Sequence, residues 1–405
     1  VTFLIPSRQA RPSDDPIFAL NAEAKAAAAR GERVVNATVG ALLDDDGRIA
    51  TLGGVVDTLR DTPAQVGAGY APISGAPDFL RGVTDDLLGR SHVAKWATAA
   101  ATPGGTGALH LAIVNFLGLG ESLLTTSFFW GPYKTLADES DRKLRTFNMF
   151  DADRRLDVDD FARQLDAALA EQGRALVLLN SPCHNPTGYS FDADEWRALR
   201  RIVEERSSRG PIAVCLDVAY ARFGAQPLDS VVEEMAGLLP KTLLLFAWSA
   251  SKTFLQYGLR VGALVAVHPD EEERKRIAAA LSYSCRGTWS NCNAGGMAAI
   301  ARVLNDPERK ARVDAERDGF VGLLARRVAR FNELATQAKL VYPRYDGGFF
   351  TTVFTKDAPQ VAEALKADGI FVVPQAGALR IALCSVAERD VPHLVASLAR
   401  HVKPA

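Results

Sequence analysis

Through the middle of the chain, short uninterrupted apolar runs alternate with longer stretches in which apolar residues recur every three or four positions among charges. Residues 175–179, 212–216, 242–246 and 261–267 are the near-continuous runs, the pattern of strands in a parallel sheet covered on both faces. Between the first two, Trp196, Leu199, Ile202 and Val203 fall at helical spacing, and Asp192 and Asp194 stand where a helix start favours negative charge. The region predicts repeated β-α-β units.

The ends of the chain have a different pattern. Residues 349–354 and 379–383 read as strands flanking a helix at 358–367, and 391–402 reads as a closing helix. An alanine-rich helix at 19–29, ended near Gly31, is expected to pack with them. The division expected is a smaller α+β domain from residues 1–44 plus 311–405 and a large α/β domain from 45–310. There are no internal repeats and no low-complexity linker.

Composition narrows the function classes. With 405 residues, 48% hydrophobic and 23% charged, the chain can bury a sizeable core. Its 47 basic and 48 acidic residues give a net charge of −1, which argues against nucleic-acid or anionic-membrane partners and for small ones. Cysteines 183, 215, 285, 292 and 384 are odd in number and widely spaced, as expected of reduced thiols. Val1 opens a short apolar patch, but Pro6 follows, and no run approaches the roughly 18 apolar residues of a membrane span. The expectation is a soluble cytoplasmic protein.

Four constellations carry chemistry. Ser249-Ala250-Ser251-Lys252 follows an apolar run, with Arg260 shortly beyond. Burial lowers a lysine's pKa and makes it a nucleophile for an aldehyde, whereas an ordinary lysine at a strand end reaches for solvent. Cys183-His184-Asn185-Pro186-Thr187-Gly188 again follows a strand, and alone it is equally a plain turn. Asp217 ends the next run with Tyr220 behind it, and one such carboxylate alone is most often a helix cap or an ion-pair partner. Pro103-Gly104-Gly105-Thr106-Gly107 precedes a helical stretch, where glycines let backbone N–H groups approach a phosphate. It is neither a P-loop nor Gly-x-Gly-x-x-Gly. Together the four supply a phosphate cradle, a carboxylate, a phenol, a nucleophilic lysine and a cationic clamp.

In that order along the chain, Gly104-Gly105-Thr106-Gly107, Asn185-Pro186-Thr187-Gly188, Asp217-x-x-Tyr220, Ser249-x-Ser251-Lys252 and Arg260 resemble the fold-type I, class I aminotransferases over nearly the whole length. Val39-Gly40, Tyr70, Trp130, Cys183-His184-Asn185, Arg286 with Trp289-Ser290-Asn291, and Arg380 point to the aspartate/aromatic branch. The resemblance implies a mostly parallel seven-stranded sheet in the large domain, pyridoxal 5′-phosphate (PLP) as cofactor, no metal, and a homodimer with shared active sites. It implies that Lys252 holds PLP as a Schiff base and later moves the proton, that Asp217 pairs with the ring nitrogen, and that Tyr220 and Asn185 bond the ring's phenolic oxygen. Trp130 would stack on the ring. Gly104, Gly105, Thr106, Ser249, Arg260 and Tyr70 of a second subunit would hold the phosphate, and Arg380, with Gly40 nearby, the substrate α-carboxylate.

Arg286 matches an arginine that the partner subunit donates to the side-chain carboxylate of dicarboxylic substrates, so aspartate or glutamate is expected, with aromatic amino acids as the other option. The surroundings depart from the family: Thr288 stands for asparagine, Trp289 for tyrosine, Cys292-Asn293 for a proline pair, and Asn180 for a histidine. Another fold-type I PLP reaction, such as decarboxylation or a lyase step, would use the same residues. A non-catalytic PLP-binding sensor is a more remote reading.

Overall fold

Seven strands form one sheet: β1 (Ala97–Thr102), β2 (Ser122–Thr126), β3 (Lys143–Phe147), β4 (Ala175–Asn180), β5 (Ile212–Asp217), β6 (Leu243–Ser249) and β7 (Gly262–Val267). Every residue of β4, β5 and β7 is buried, which is why their sequences read as continuous apolar runs rather than as alternation. The structure, a computed structural model, describes residues 2–12, 15–89 and 91–402. Val1, the first residue of the N-terminal apolar patch, lies outside them.

The strand order is β1-β7-β6-β5-β4-β2-β3. Strands β2 to β6 pair in parallel, but β7 runs antiparallel to both β6 and β1. Its apolar run resembles that of its parallel neighbours because burial on both faces, not strand direction, sets composition. The reversal brings the carboxyl ends of β1, β4, β5 and β6 to the same rim as the start of β7. Along that rim Thr102 pairs with Gly262, Gly262 with Ser249, and Asn180 with Asp217. Ligands of open α/β sheets bind at this end of the strands.

Five helices matter for what stands on the rim: α1 (Gly104–Phe116), α2 (Pro132–Glu139), α3 (Ala193–Arg206), the single turn α4 (Ala250–Thr253) and α5 (Glu271–Thr288). At the start of α3, Asp192 accepts from Glu195 N at 3.0 Å while Glu195 accepts from Asp192 N at 2.8 Å. This capping box satisfies two orphan donors, and Trp196, Leu199, Ile202 and Val203 face inward as their spacing predicts.

The chain forms two compact units. One, Ala50–Ala325 with Pro343–Phe349, contains the sheet just described. The other comprises Val1–Ile49, Arg326–Tyr342 and Phe350–Ala405, with an antiparallel sheet of β8 (Thr351–Phe354), β9 (Val373–Gln375) and β10 (Ala378–Ile381) in the order β9-β10-β8. The helix Pro16–Ala29 packs Ala24 and Ala27 against Phe371 in this unit. Arg327 is fully buried there, donating to the carbonyls of Cys384 and Leu43 at 2.8 and 2.9 Å and to Asp45 at 2.8 Å. No helix among the described residues is long and apolar enough to cross a membrane.

Candidate active site

The first helical turn of α1 has no side-chain cap, so the N–H groups at Gly105 and Thr106 are available to an anion at the positive end of the helix. Space is kept open by what the glycines lack. Gly104 has φ +74°, and a Cβ there would run into the Arg260 guanidinium. A Cβ on Gly105 would stand 3.3 Å from Ser249 Cβ, and one on Gly262 2.5 Å from the Gly104 carbonyl carbon. Arg260 is itself held at this turn, donating to Pro103 O at 3.2 Å, Ser251 Oγ at 3.2 Å and Tyr257 O at 3.0 Å. Ser249 Oγ accepts from Ser251 N at 3.2 Å. Backbone N–H groups, a hydroxyl and a guanidinium thus surround one helix start, a donor set suited to a phosphate dianion.

Lys252 sits on α4, just beyond β6. Its ammonium lies 4.5 Å from the ring centroid of Tyr257, 5.4 Å from Tyr220 and 5.3 Å from Phe349, so aromatic faces line its approach. Tyr220 is buried and packs edge-on against Phe349 at 5.2 Å.

Asp217, at the carboxyl end of β5, is 7% exposed. Tyr133 Oη donates to its Oδ2 at 2.6 Å and Ala219 N to its Oδ1 at 3.2 Å. Burial pushes the Asp217 carboxyl above its ordinary value, opposed by the Tyr133 and Ala219 hydrogen bonds and the Lys252 charge. Asn180 ties the neighbouring strands together: its Nδ2 donates to Asp217 O at 2.9 Å and its Oδ1 accepts from Asn185 N at 2.6 Å. Asn185 is 4% exposed, and its side-chain Oδ1 is buried with no hydrogen-bond partner among the described residues. A buried amide with unmet capacity marks a place for a polar ligand atom. Trp130 stands ahead of α2, 5.7 Å from Tyr133 and edge-on to it.

His184 has a supporting place. Its Nε2 is 3.2 Å from Thr126 Oγ1 and its Nδ1 2.8 Å from Thr187 Oγ1, and burial holds its pKa down to about 3. A neutral imidazole bonded at both nitrogens braces the Cys183–Gly188 turn and is unsuited to shuttling protons.

The rim therefore gathers Gly104, Gly105, Thr106, Asn185, Asp217, Tyr220, Ser249, Lys252 and Arg260, with Trp130 joined through Tyr133. Gly40 and Arg380 form a second cluster in the other unit. Arg380 is 4% exposed, donates to Thr38 O at 2.5 Å, and lies 4.8 Å over the Phe350 ring, against which a Cβ on Gly40 would also collide. Tyr70 is 94% exposed. Arg286, exposed on the last turn of α5, donates to Ser290 Oγ at 2.7 Å. Neither is joined to the rim cluster by a hydrogen bond or ring contact among the described residues. Tyr133, Tyr257 and Phe349 escaped the sequence reading. Only the nearness of Tyr133 to Trp130, on one turn, hinted at its place.

Comparison with known proteins adds an independent line. A family model for class I and II aminotransferases matches residues 32–398. An aromatic-amino-acid aminotransferase of Paracoccus denitrificans is 27% identical over 398 residues, 95% of this chain and 96% of that one. An aspartate aminotransferase of Pseudomonas aeruginosa is 30% identical over 313 residues, 75% of each chain. The crystal structure of an aminotransferase from Anaerococcus prevotii matches with a TM-score of 0.95 at 32% identity over 100% of both chains. That of an aromatic-amino-acid aminotransferase from Burkholderia pseudomallei, covalently bound to pyridoxal phosphate, matches at 0.78 with 25% identity over 99% of this chain and 100% of that one. The family match spans nearly the whole chain and includes every residue on the rim, so this protein belongs to the class I and II aminotransferases.

Proposed function

We propose that this protein moves an amino group between an amino acid and a 2-oxo acid, using PLP, in two half-reactions that follow one another at one site. The observation that carries the reading is the single rim on which an uncapped helix start with Ser249 and Arg260, a buried carboxylate at Asp217 and the amine of Lys252 stand together. The donor set fits the cofactor: cations and N–H groups for a phosphate, a carboxylate for a protonated ring nitrogen, and the Asn185 Nδ2 and Tyr220 hydroxyl as donors for the ring's phenolic oxygen, while the unmet Asn185 Oδ1 is left to accept from a ligand N–H or O–H. When bound, PLP supplies an electron sink for the charge left on the substrate Cα after proton loss.

Each residue then has a task. Gly104 leaves room for Arg260, which with Gly105 and Thr106 N–H and the Ser249 hydroxyl holds the phosphate. Asp217 keeps the ring nitrogen charged, Tyr220 and Asn185 orient the ring through its phenolic oxygen, and Trp130 covers a face. Lys252 would supply the amine that anchors the cofactor and, once displaced by substrate, would be the base that takes the Cα proton and the acid that delivers it to the cofactor carbon two atoms away. Arg380 grips the α-carboxylate in a fork, with Gly40 leaving room for the Phe350 ring over which Arg380 lies. Tyr70, almost fully exposed, is suited to reach the phosphate of a second subunit, so the working form is a homodimer. Arg286 is assigned to the side-chain carboxylate of aspartate, glutamate and their 2-oxo acids. A cytoplasmic setting accords with five cysteines that are all free thiols, four of them buried.

Mixing PLP-loaded protein with an amino acid and no 2-oxo acid tests the reaction. Transamination releases one 2-oxo acid per site and converts the cofactor to its amine form, seen by absorbance. A lyase or decarboxylase instead releases ammonia or carbon dioxide over many turnovers, and that result would overturn the reading. A panel of amino donors run on wild type and Arg286→Ala tests specificity, with selective loss of dicarboxylic donors expected.

A further inference from the structure

Asp217 holds two bonds that the scheme above leaves unused, and one comes from a side chain with no task yet. Tyr133 is 1% exposed and belongs to the apolar cluster beneath the sheet with Leu109, Leu176 and Leu178. Its hydroxyl nevertheless spends its proton on Asp217 Oδ2 at 2.6 Å. Burial and the adjacent carboxylate drive its ionisation far up, so at any working pH it donates and adds no charge. Burial favours the protonated form of Asp217, the opposite of what a partner for a charged ring nitrogen requires. The groups facing Asp217 are Tyr133 from α2, Ala219 N–H and Tyr220 beyond the strand, Cys215 on the strand itself with its thiol pushed up by burial, and Lys252.

A carboxyl group meeting a ring nitrogen in a dry site has two states, an ion pair with the proton on the ring and a neutral pair with the proton on the carboxyl. A neutral donor stabilises the carboxylate more than the acid. We infer that Tyr133 is a positioning residue that keeps the shared proton on the ring nitrogen by hydrogen-bonding Asp217. The inference rests on the PLP reading above. An arginine or lysine in its place would stabilise the carboxylate too, but its charge would repel the ring proton. Two further contacts fit the role. Trp130 and Tyr133 lie three residues apart with rings 5.7 Å apart, so one turn delivers both the stacking surface and the donor. Asn180 fixes the Asp217 backbone against that of Asn185, while the carboxylate itself is held by Tyr133 and Ala219 N.

Tyr133→Phe removes the hydroxyl and keeps the packed ring. Wild-type and variant apoproteins would be loaded with PLP carrying 15N in the ring, and the ring-nitrogen shift, the PLP dissociation constant and steady-state kinetics measured. The wild type should show a protonated nitrogen and the variant a shift toward the unprotonated value. PLP should bind about 10- to 100-fold more weakly, with kcat reduced and the amino-acid KM little changed. Should Tyr133→Phe not fold, 3-fluorotyrosine at the same position, a stronger donor of nearly the same shape, must keep the nitrogen protonated and tighten PLP binding. An unchanged shift and unchanged PLP affinity would make Tyr133 a packing residue and overturn the inference. Wild-type protein that fails to take up PLP would overturn the cofactor reading itself.

Discussion

Replacing Gly104 by alanine should weaken PLP binding through Arg260 rather than through the helix start itself. Gly104 holds φ +74°, and a Cβ there would meet Arg260 Cζ at 2.9 Å and Nη1 at 3.2 Å, with Nη2 nearer still. The neighbouring backbone is fixed, because Gly262 packs its Cα against the Gly104 carbonyl, so the guanidinium must move. It would leave its bonds to Pro103, Ser251 and Tyr257 and its place beside the phosphate. A lost charge-assisted bond of about 1.5–3 kcal/mol corresponds to about 10- to 100-fold in PLP affinity. The left-handed backbone adds about 1–2 kcal/mol of destabilisation to the apoprotein. PLP titration followed by absorbance, with urea unfolding of the apo form, separates the two effects. In an Arg260→Ala background the same glycine change should cost almost no further affinity, since the group it displaces is gone. Additive losses in that double-mutant cycle would refute the steric route.

Three other outcomes are expected. Arg327→Leu should lower the unfolding free energy by about 1–3 kcal/mol, because two carbonyls in the smaller unit lose their donor, while Asp45 is 37% exposed and still accepts from Glu388 N; a change below about 0.5 kcal/mol would show that water takes over these groups. His184 titrates at about 3 when folded against 6.5 ordinarily. Below pH 6.5 the unfolded chain therefore binds a proton that the folded chain refuses, and stability falls with acidification by up to about 1.4 kcal/mol per pH unit until about pH 3. His184→Gln should flatten the dependence of the urea midpoint on pH between neutral and acid, and equal slopes would contradict the assignment. Tyr70→Ala and Lys252→Ala should each be inactive or nearly so alone, yet mixed subunits should regain activity, because a heterodimer has one site with both residues intact. Mixing without recovery would place Tyr70 outside the partner's site.

Much of the fold is legible in the sequence. The runs at 175–179, 212–216 and 261–267 became β4, β5 and β7 almost residue for residue, because burial on both faces leaves no room for polar positions. The run at 242–246 was read short: β6 extends through Trp248 and Ser249, where an indole and a hydroxyl interrupt the aliphatic pattern. β3 gave no signal because it is an outer strand, with Lys143 exposed and Arg145 half-buried. β9 is three residues long and includes Pro374, which a ladder interior excludes. At the site, residues that end a strand announced themselves, since Asp217 and Ser249 interrupt apolar runs. Tyr133 did not, because its partner lies 84 residues along the chain and its place one turn from Trp130 is the sole local sign. The direction of β7 was equally hidden, since strand direction leaves no trace in composition.

That reversal of β7 has a practical meaning. The anchoring lysine and the phosphate arginine sit on one return of chain whose two ends are zipped together by the Ser249 and Gly262 pair. Their separation is therefore bounded by a closed loop, with the Arg260 bond to Pro103 O fixing the guanidinium from outside it. A single residue inserted between Phe254 and Leu259 would leave the strands in register and alter the path between Lys252 and Arg260, whereas insertions after Val267 fall at the opposite end of the strand. For anyone transplanting or redesigning this site, residues 249–262 are one exchangeable cassette, and the two flanking strands are the socket it requires.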